Sequence, residues 1–272
     1  MHGNASGLAP LAAVALGWAL MALVMLALWE VQRRRGDASV VDAAWTAGLG
    51  LLAVAYAAAL PGEGGRRLLV AALAGAWSAR LAVHLVRDRV IGKPEDARYR
   101  EMRRQWGARA QVEFFWYFQA QALAAALFSV PFLLAMRDLR PFPGVPDALA
   151  ALVWLVAVGG ESLADAQLAR FRADPANRGR TCRAGLWGWS RHPNYFFEWL
   201  HWWAYVPLAL GAPWGWLSLF GPAAMLYLLF RVTGIPKNEA RALETRGDDY
   251  RDYQRRTSVF IPLPPRRPPR DG

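Results

Sequence analysis

The sequence has a single cysteine, Cys182, and only four histidines among its 272 residues. One cysteine excludes an internal disulfide, and no CxxC pair or His/Cys spacing typical of a metal site occurs. No strand–GxGxxG–helix pattern is present, which excludes a Rossmann-type nucleotide site. Internal repeats are lacking as well. We therefore expect neither a metal ion nor a known nucleotide-binding motif of that type.

Acidic residues are scarce relative to basic ones, and the formal net charge is +11. Such a balance first suggests nucleic acid, but the basic residues are confined to segments between long apolar runs and form no continuous basic face. Hydrophobic residues make up 55% of the chain, and runs of bilayer-spanning length recur. The pattern predicts an all-α polytopic membrane protein. Its seven expected spans lie at about 8–31, 39–60, 67–89, 111–136, 146–169, 194–211 and 213–232.

Lysine and arginine are unevenly shared among the expected loops. The segments after the first, third, fifth and seventh spans are rich in them, whereas the intervening segments carry two or none. The positive-inside rule then predicts an external N-terminus and a cytoplasmic C-terminus. We expect one membrane domain over residues 1–262, followed by a flexible, basic and proline-rich tail over 263–272.

Several ionisable residues fall inside the expected spans, where a charge costs about 2.5–3.5 kcal/mol at the bilayer centre. They are Asp42, Arg80, His84, Glu161, Asp165, Glu198 and His201. Arg80 with His84, Glu161 with Asp165, and Glu198 with His201 are each spaced so that the members of a pair lie on one helix face. The predicted topology places most of these residues in the cytoplasmic halves of their spans. The pattern therefore predicts a polar cavity open to the cytosol. Structural roles remain open: Asp42 as a helix cap, Arg80 as an ion-pair partner of Asp42 or Glu161, and His84 as a core histidine.

The stretch GLWGWSRHPNYFFEW, residues 185–199, combines a basic loop with the start of an apolar helix. Pro193 suits a first helical turn, whose free N–H groups and positive dipole end favour an anion such as phosphate. Arg191 and His192 precede it, while Asn194 and Glu198 can bind an amide or a ribose. A nicotinamide dinucleotide phosphate fits this arrangement better than S-adenosylmethionine, which has no phosphate.

Four stretches resemble the steroid 5-alpha-reductase-like membrane proteins, particularly their bacterial branch. They are SVVDAAW (39–45), ESLADAQLARFRADPANRGR (161–180), GLWGWSRHPNYFFEW (185–199) and DDYRDYQRRTSVFIPLPP (248–265). The RHPNYxxE pattern with a downstream tyrosine-rich segment is specific to a wider superfamily. That superfamily also contains sterol C14 and C7 reductases and isoprenylcysteine carboxyl methyltransferases. The resemblance covers about two-thirds of the chain.

The resemblance implies a seven-helix fold that binds NADPH from the cytoplasmic side and a lipophilic enone from the membrane. Asp42 resembles the acidic catalytic residue of the second helix, where the steroid enzymes carry Glu. His84 stands at the position of the family tyrosine that donates to the ketone, and Tyr99 is the alternative donor. The predicted cofactor-binding residues are Arg98, Glu161, Asp165, Arg172, Arg180, Arg191, His192, Asn194, Tyr195, Glu198, Tyr250 and Tyr253. Trp45 and Trp202 are the predicted substrate contacts.

The predicted function is thus NADPH-dependent reduction of the C=C bond of a membrane-soluble α,β-unsaturated ketone, such as a 3-oxo-4-ene steroid or steroid-like lipid. We expect a monomeric multi-pass oxidoreductase of lipid metabolism in the bacterial cytoplasmic membrane, contacting lipids but no nucleic acid. Two alternatives stay open. One is an S-adenosylmethionine-dependent methyltransferase of the isoprenylcysteine type, against which the arginine-rich loop and the carboxylates at 161, 165 and 198 weigh. The other is a non-catalytic lipid- or sterol-binding membrane protein.

Overall fold

The computed structural model describes residues 8–232 and 234–266. The protein is 79% helical, and its described residues contain no β-strand. Over these two ranges, six helical stretches are long and apolar enough to cross a membrane. Large apolar side chains such as Leu11, Leu16 and Leu23 are more than half exposed on the first of them, as expected for a surface that contacts lipid. The predicted all-α polytopic fold is confirmed.

Most of the helices follow one another with short connections, but a long loop over residues 174–192 separates α6 from α7. They are α1 (Leu8–Arg35), α2 (Val40–Ala59), α3 (Gly64–Arg89), α4 (Ala97–Trp106), α5 (Ala110–Met136), α6 (Val145–Ala173), α7 (Pro193–Trp203), α8 (Tyr205–Ala209), α9 (Phe220–Tyr227), α10 (Ile235–Arg246) and α11 (Asp248–Arg256). A π-helical turn, Leu228–Val232, extends α9 toward α10. Five expected spans correspond to α1, α2, α3, α5 and α6.

The expected sixth span, 194–211, is not a single helix. It is divided into α7, of 11 residues, and α8, of 5 residues. At about 1.5 Å per residue, neither is long enough to cross the hydrocarbon layer. Pro207 explains the break, because it has no N–H to donate to the carbonyl four residues earlier, at Trp203. The expected seventh span instead belongs to a longer apolar stretch, Gly215–Arg246.

Contacts divide the chain into two compact units: Met1–Asp147 with Tyr205–Ser218, and Ala148–Ala204 with Leu219–Gly272. In the first unit, α2 packs mainly against α3 and α5, and α1 packs against α5. The backbones of α2 and α3 approach closely at Gly50, where a Cβ atom would collide with the Ser78 side chain. Ser78 Oγ donates to the Thr46 carbonyl at 2.6 Å, which fixes the register of the two helices. The expected single domain and orientation remain predictions.

A fully buried guanidinium organises the connections at one end of this unit. Arg66 donates to both carboxylate oxygens of Asp147, at 2.8 and 2.9 Å, and to Asp138 Oδ1 at 3.2 Å. Asp138 also accepts from Arg140 and from the Gly211 N–H. Burial works against ionisation of Asp138, but the hydrogen bonds and charges of Arg140 and Arg66 outweigh it and lower its pKa. The network ties the starts of α3 and α6 to the segment after α8.

In the second unit, α6 and α7 approach closely at Gly160, where a Cβ atom would collide with the Phe197 ring. The segment after α11 runs back along the loop before α7. Arg191 N–H donates to the Ser258 carbonyl at 2.8 Å, and Ser190 Oγ donates to the Phe260 carbonyl at 2.7 Å. The C-terminal segment therefore forms part of the surroundings of the α7 N-terminus.

The buried Arg66 network predicts a large effect of a single substitution. Arg66→Met would leave two buried carboxylates without their shared cation, which costs about 3–5 kcal/mol. We expect a clear fall in the thermal unfolding temperature, followed by circular dichroism in detergent. Arg104→Met is the control, because Arg104 pairs with Glu101 on an exposed helix surface and should matter little. Equal shifts for both variants would contradict this interpretation.

Candidate functional site

Asp42, in the first turn of α2, has both carboxylate oxygens engaged. Its Oδ1 accepts from the Tyr99 hydroxyl at 2.6 Å. Its Oδ2 accepts from Arg98 Nη2 at 2.7 Å and from Arg89 Nη1 at 3.0 Å. The Tyr99 side chain is only 1% exposed, so this hydrogen bond is shielded from water. The first unit thus contains a carboxylate–phenol pair held by two guanidinium groups.

The start of α4 positions Tyr99 and Arg98. The Asp96 side chain caps this helix by accepting from the Arg98 N–H at 2.9 Å, and the Asp96 N–H donates to Ser39 Oγ at 2.8 Å. Burial alone would raise the pKa of Asp96. The hydrogen bonds and charge of Arg98 and the charge of Arg89 outweigh burial and lower the pKa below its usual value, so the carboxyl is held ionised. The beginnings of α2 and α4 are joined by these contacts.

The predicted residues of this unit take different places. Arg98, predicted to bind cofactor, contacts Asp42 and Asp96. Tyr99, the alternative donor, is the tyrosine on Asp42, whereas His84 is half-buried on α3. Trp45 lies three residues after Asp42 and contacts the Phe128 ring edge-on at 5.6 Å. Within the described residues, its buried Nε1 has no hydrogen-bond acceptor. A buried indole donor therefore remains available near the Asp42 end of α2.

In the second unit, α7 begins at Pro193 as predicted, and Asn194, Glu198 and His201 lie along it. Exposure falls to 9% at Glu198 and 0% at His201, so this face turns into the unit. Asn194 Nδ2 donates to Asp165 Oδ1 on α6 at 3.3 Å. Trp202 Nε1 donates to Glu198 Oε1 at 3.3 Å. Polar groups of α6 and α7 predicted to act together are thus in contact.

Glu161, one turn before Asp165 on α6, is 4% exposed. Its position on the same helix face as Asp165 agrees with the spacing of the two residues. Tyr195, in the first turn of α7, accepts from Asn238 Nδ2 at its hydroxyl oxygen, at 2.7 Å. The Tyr195 ring stacks on the His192 ring with centroids 5.5 Å apart.

Glu239 on α10 is contacted by four side chains, two from the loop before α7 and two from α11. Arg191 Nε donates to it at 2.6 Å and Gln254 Nε2 at 2.8 Å. His192 Nε2 lies 3.2 Å from Oε1, and the Tyr250 hydroxyl donates to the same oxygen at 3.3 Å. Burial and the charge of Glu239 raise the pKa of Tyr250, which keeps its hydroxyl a donor.

These contacts assign a positioning role to residues that the sequence predicts as cofactor contacts. Arg191 Nη1 also donates to the Gln254 and Thr257 carbonyls, so most of its donors are used within the protein. Tyr253 donates to the Trp187 and Ser190 carbonyls, and burial raises its pKa. Arg191 and Tyr253 therefore fasten the C-terminal segment to the start of α7.

The arginines from Arg172 to Arg191, at the end of α6 and in the loop before α7, form two groups. Arg183 pairs with Asp249 and Asp252, each at 2.8 Å, and Arg191 pairs with Glu239. Arg172, Arg178 and Arg180 are exposed and form no ion pair within the described part of the chain. Arg172, Arg178 and Arg180 could therefore bind an anionic ligand without breaking an ion pair to any described residue. The donor set thus fits a phosphate at Arg172 and Arg180, but not at Arg191.

The described ranges contain no group of three or more His, Cys, Asp or Glu residues arranged to hold a metal ion. Cys182 is buried, and burial raises its pKa against the opposing charges of Arg172 and Arg246. Its thiol is therefore held protonated beside basic residues.

A family model described as "Protein of unknown function (DUF1295)" matches residues 28–257. The chain belongs to this family. The family is linked to the steroid 5-alpha-reductase and polyprenol reductase-like superfamily. No curated protein and no solved structure matches the chain. The matched region contains Asp42, Tyr99 and Glu239, and so includes both clusters described above.

The Glu239 cluster predicts that one carboxylate controls the order of the loop before α7. Glu239→Gln should destabilise the second unit, since each charge-assisted hydrogen bond lost contributes about 1.5–3 kcal/mol. Limited proteolysis should cut the C-terminal segment faster in this variant. Glu244→Gln, an exposed substitution on the same helix, is the matched control. Equal cleavage rates for the two variants would show that Glu239 has no such role.

Proposed function

We propose that the protein catalyses NADPH-dependent reduction of the C=C bond of a membrane-soluble α,β-unsaturated ketone, such as a 3-oxo-4-ene steroid or steroid-like lipid. The superfamily link supports reductase chemistry on a lipophilic substrate. The observation that carries the proposal is the 2.6 Å hydrogen bond from the buried Tyr99 hydroxyl to Asp42. A carboxylate-held phenol on the second and fourth helices is the donor that such a reaction requires.

Enone reduction adds a hydride to the β carbon, which leaves an enolate with negative charge on the ketone oxygen, and the α carbon then takes a proton from water. Donors fixed in a water-poor site stabilise this charge strongly, because they need not reorient during the reaction. Tyr99 OH is one such donor, and the unused Nε1–H of Trp45 is a second. In the proposed complex, the ketone oxygen replaces Asp42 Oδ1 as the acceptor for the phenol.

Arg89 and Arg98 contribute by holding Asp42 rather than by contacting substrate. Their hydrogen bonds to Oδ2 leave the other oxygen directed at Tyr99. The carboxylate therefore holds the Tyr99 ring in place before substrate binds, so that only the O–H has to turn from Asp42 to the ketone oxygen.

NADPH, when bound, supplies the hydride. Arg172 and Arg180 would hold its phosphates, because both are exposed and carry no internal ion pair. Asn194 and Glu198 would bind the ribose or carboxamide at the α7 N-terminus, where free N–H groups and the helix dipole favour an anionic ligand. Arg191, His192 and Tyr250 would act indirectly by fixing this loop through Glu239.

If the Tyr99 hydroxyl donates to the ketone oxygen, removing that hydroxyl should slow the reaction. Tyr99→Phe should lower the rate of enone reduction by about 10²–10³, the usual effect of losing an oxyanion donor. The NADPH dissociation constant should stay unchanged. Steady-state rates with a panel of 3-oxo-4-ene steroids and shorter enones, together with NADPH titration, provide the measurement. Tyr56→Phe is the matched control, because Tyr56 is also buried and hydrogen-bonded, to Ser129 at 2.9 Å.

His84→Phe separates the two candidate donors. Loss of rate in His84→Phe with full rate in Tyr99→Phe would transfer the role to His84. Failure of the wild-type protein to oxidise NADPH with any enone of the panel would contradict the proposed reaction.

The division of the loop arginines predicts a separate effect on nucleotide binding. Arg172→Ala and Arg180→Ala should each weaken NADPH binding about tenfold or more, since a charge-assisted hydrogen bond contributes about 1.5–3 kcal/mol. Added salt should weaken binding by the wild type. Arg241→Ala, an exposed arginine of α10, is the control and should bind NADPH normally. Equal affinity of the wild type for NADPH and NADH would oppose the assignment of a phosphate site here.

A further inference from the structure

A cavity of about 390 Å³ lies between the end of α11 and the segment that follows it. Its described lining includes four arginines and no acidic residue. These are Arg191, Arg255, Arg256 and Arg266. Thr257 and Ser258 also line it. The composition of the lining suits an oxyanion.

Positive charge is in excess at this cavity. Arg255 and Arg256 share one carboxylate, Asp252, at 3.3 and 3.0 Å, and that carboxylate also pairs with Arg183. Hydrogen bonding to Arg183 and the charges of the neighbouring arginines lower the pKa of Asp252 despite some desolvation, so it stays ionised. Arg266 forms no ion pair within residues 8–232 and 234–266. Guanidinium donors of Arg255, Arg256 and Arg266 therefore remain available to a ligand, whereas Arg191 is held by Glu239.

Apolar side chains project next to these arginines. Leu263 lines the cavity and is 52% exposed, and its N–H donates to the Trp189 carbonyl at 3.0 Å. Trp189 itself is 49% exposed, and Ile261 is 56% exposed. Tryptophan and aliphatic residues exposed beside arginines are typical of the membrane–water interface. A small soluble anion would use the arginines but would leave these apolar groups uncovered.

We propose that this cavity binds the phosphate of an anionic phospholipid, with Arg255 and Arg266 as its principal ligands. Arginine suits this role because its planar donor fork matches phosphate oxygens in pairs. Trp189, Ile261 and Leu263 contact the glycerol and upper acyl region of the same lipid. The site is separate from the proposed reductase chemistry, and half of its lining residues follow the region matched by the family.

The test uses the full chain, purified and delipidated in detergent, with lipid adducts counted by native mass spectrometry. Phosphatidylglycerol and phosphatidylcholine with the same acyl chains are titrated separately. We expect the wild type to bind phosphatidylglycerol much more tightly. Arg255→Gln combined with Arg266→Gln should weaken that binding about 25-fold, at about fivefold for each arginine near a lipid phosphate.

Arg241→Gln combined with Arg251→Gln is the matched control. It removes the same charge from exposed positions on α10 and α11 outside the cavity, and should change affinity less than about twofold. If both double variants lost the same affinity for phosphatidylglycerol, the effect would arise from overall charge and the proposal would be overturned. If the cavity variant lowers the unfolding temperature, Arg266→Gln alone replaces it, since that side chain has no internal ion pair to lose.

One further variant and two binding measurements distinguish a lipid from a soluble phosphate as the ligand. Leu263→Ser should weaken phosphatidylglycerol binding as well, because the acyl region would lose an apolar contact. Displacement of phosphatidylglycerol by millimolar inorganic phosphate or by NADPH would overturn the proposal in favour of a soluble ligand. Equal binding of phosphatidylcholine by the wild type would also overturn it. None of these readouts depends on enone reduction.

Discussion

The carboxylate of Glu239 holds the functional half of the second unit together. A buried or half-buried charge is stable only when several donors replace its water, and Glu239 receives them from Arg191, His192, Tyr250 and Gln254. The loop before α7, α10 and α11 therefore meet at one group. The loop that leads into α7 is consequently held by hydrogen bonds within the protein itself.

Hydropathy was enough to predict the long helices α1, α2, α3, α5 and α6, because hydrocarbon admits few other backbone structures. It failed for α7 and α8, where the apolar run continues but the helix is interrupted at Ala204, shortly before Pro207. It also gave no sign of α4, α10 and α11, which are short and rich in charge. Local signals for α4 were present, since Asp96 caps its start and Gly107, with φ of +50°, ends it.

The sequence predicted which residue types form the candidate sites better than it predicted which of these residues pair with one another. Arg172 and Arg183 are equivalent in a count of loop charges, yet one is exposed without an ion pair and the other is bound by two aspartates. Only three-dimensional placement separates such residues. Glu239 was not predicted for the same reason, because no motif or spacing distinguishes it from Glu244 on the same helix. Tyr99 lay in a loop expected to have no helix, so counting along the chain favoured His84.

The bond between Ser190 and Phe260 joins residues 70 positions apart in the chain. Arg191 likewise donates its N–H to the Ser258 carbonyl. Because a chain is synthesised from its N-terminus, α7 is complete before residues 258–260 exist. The loop before α7 can therefore take its final conformation only once those residues have been added, so the folding of this loop lags behind the synthesis of the helix that it precedes.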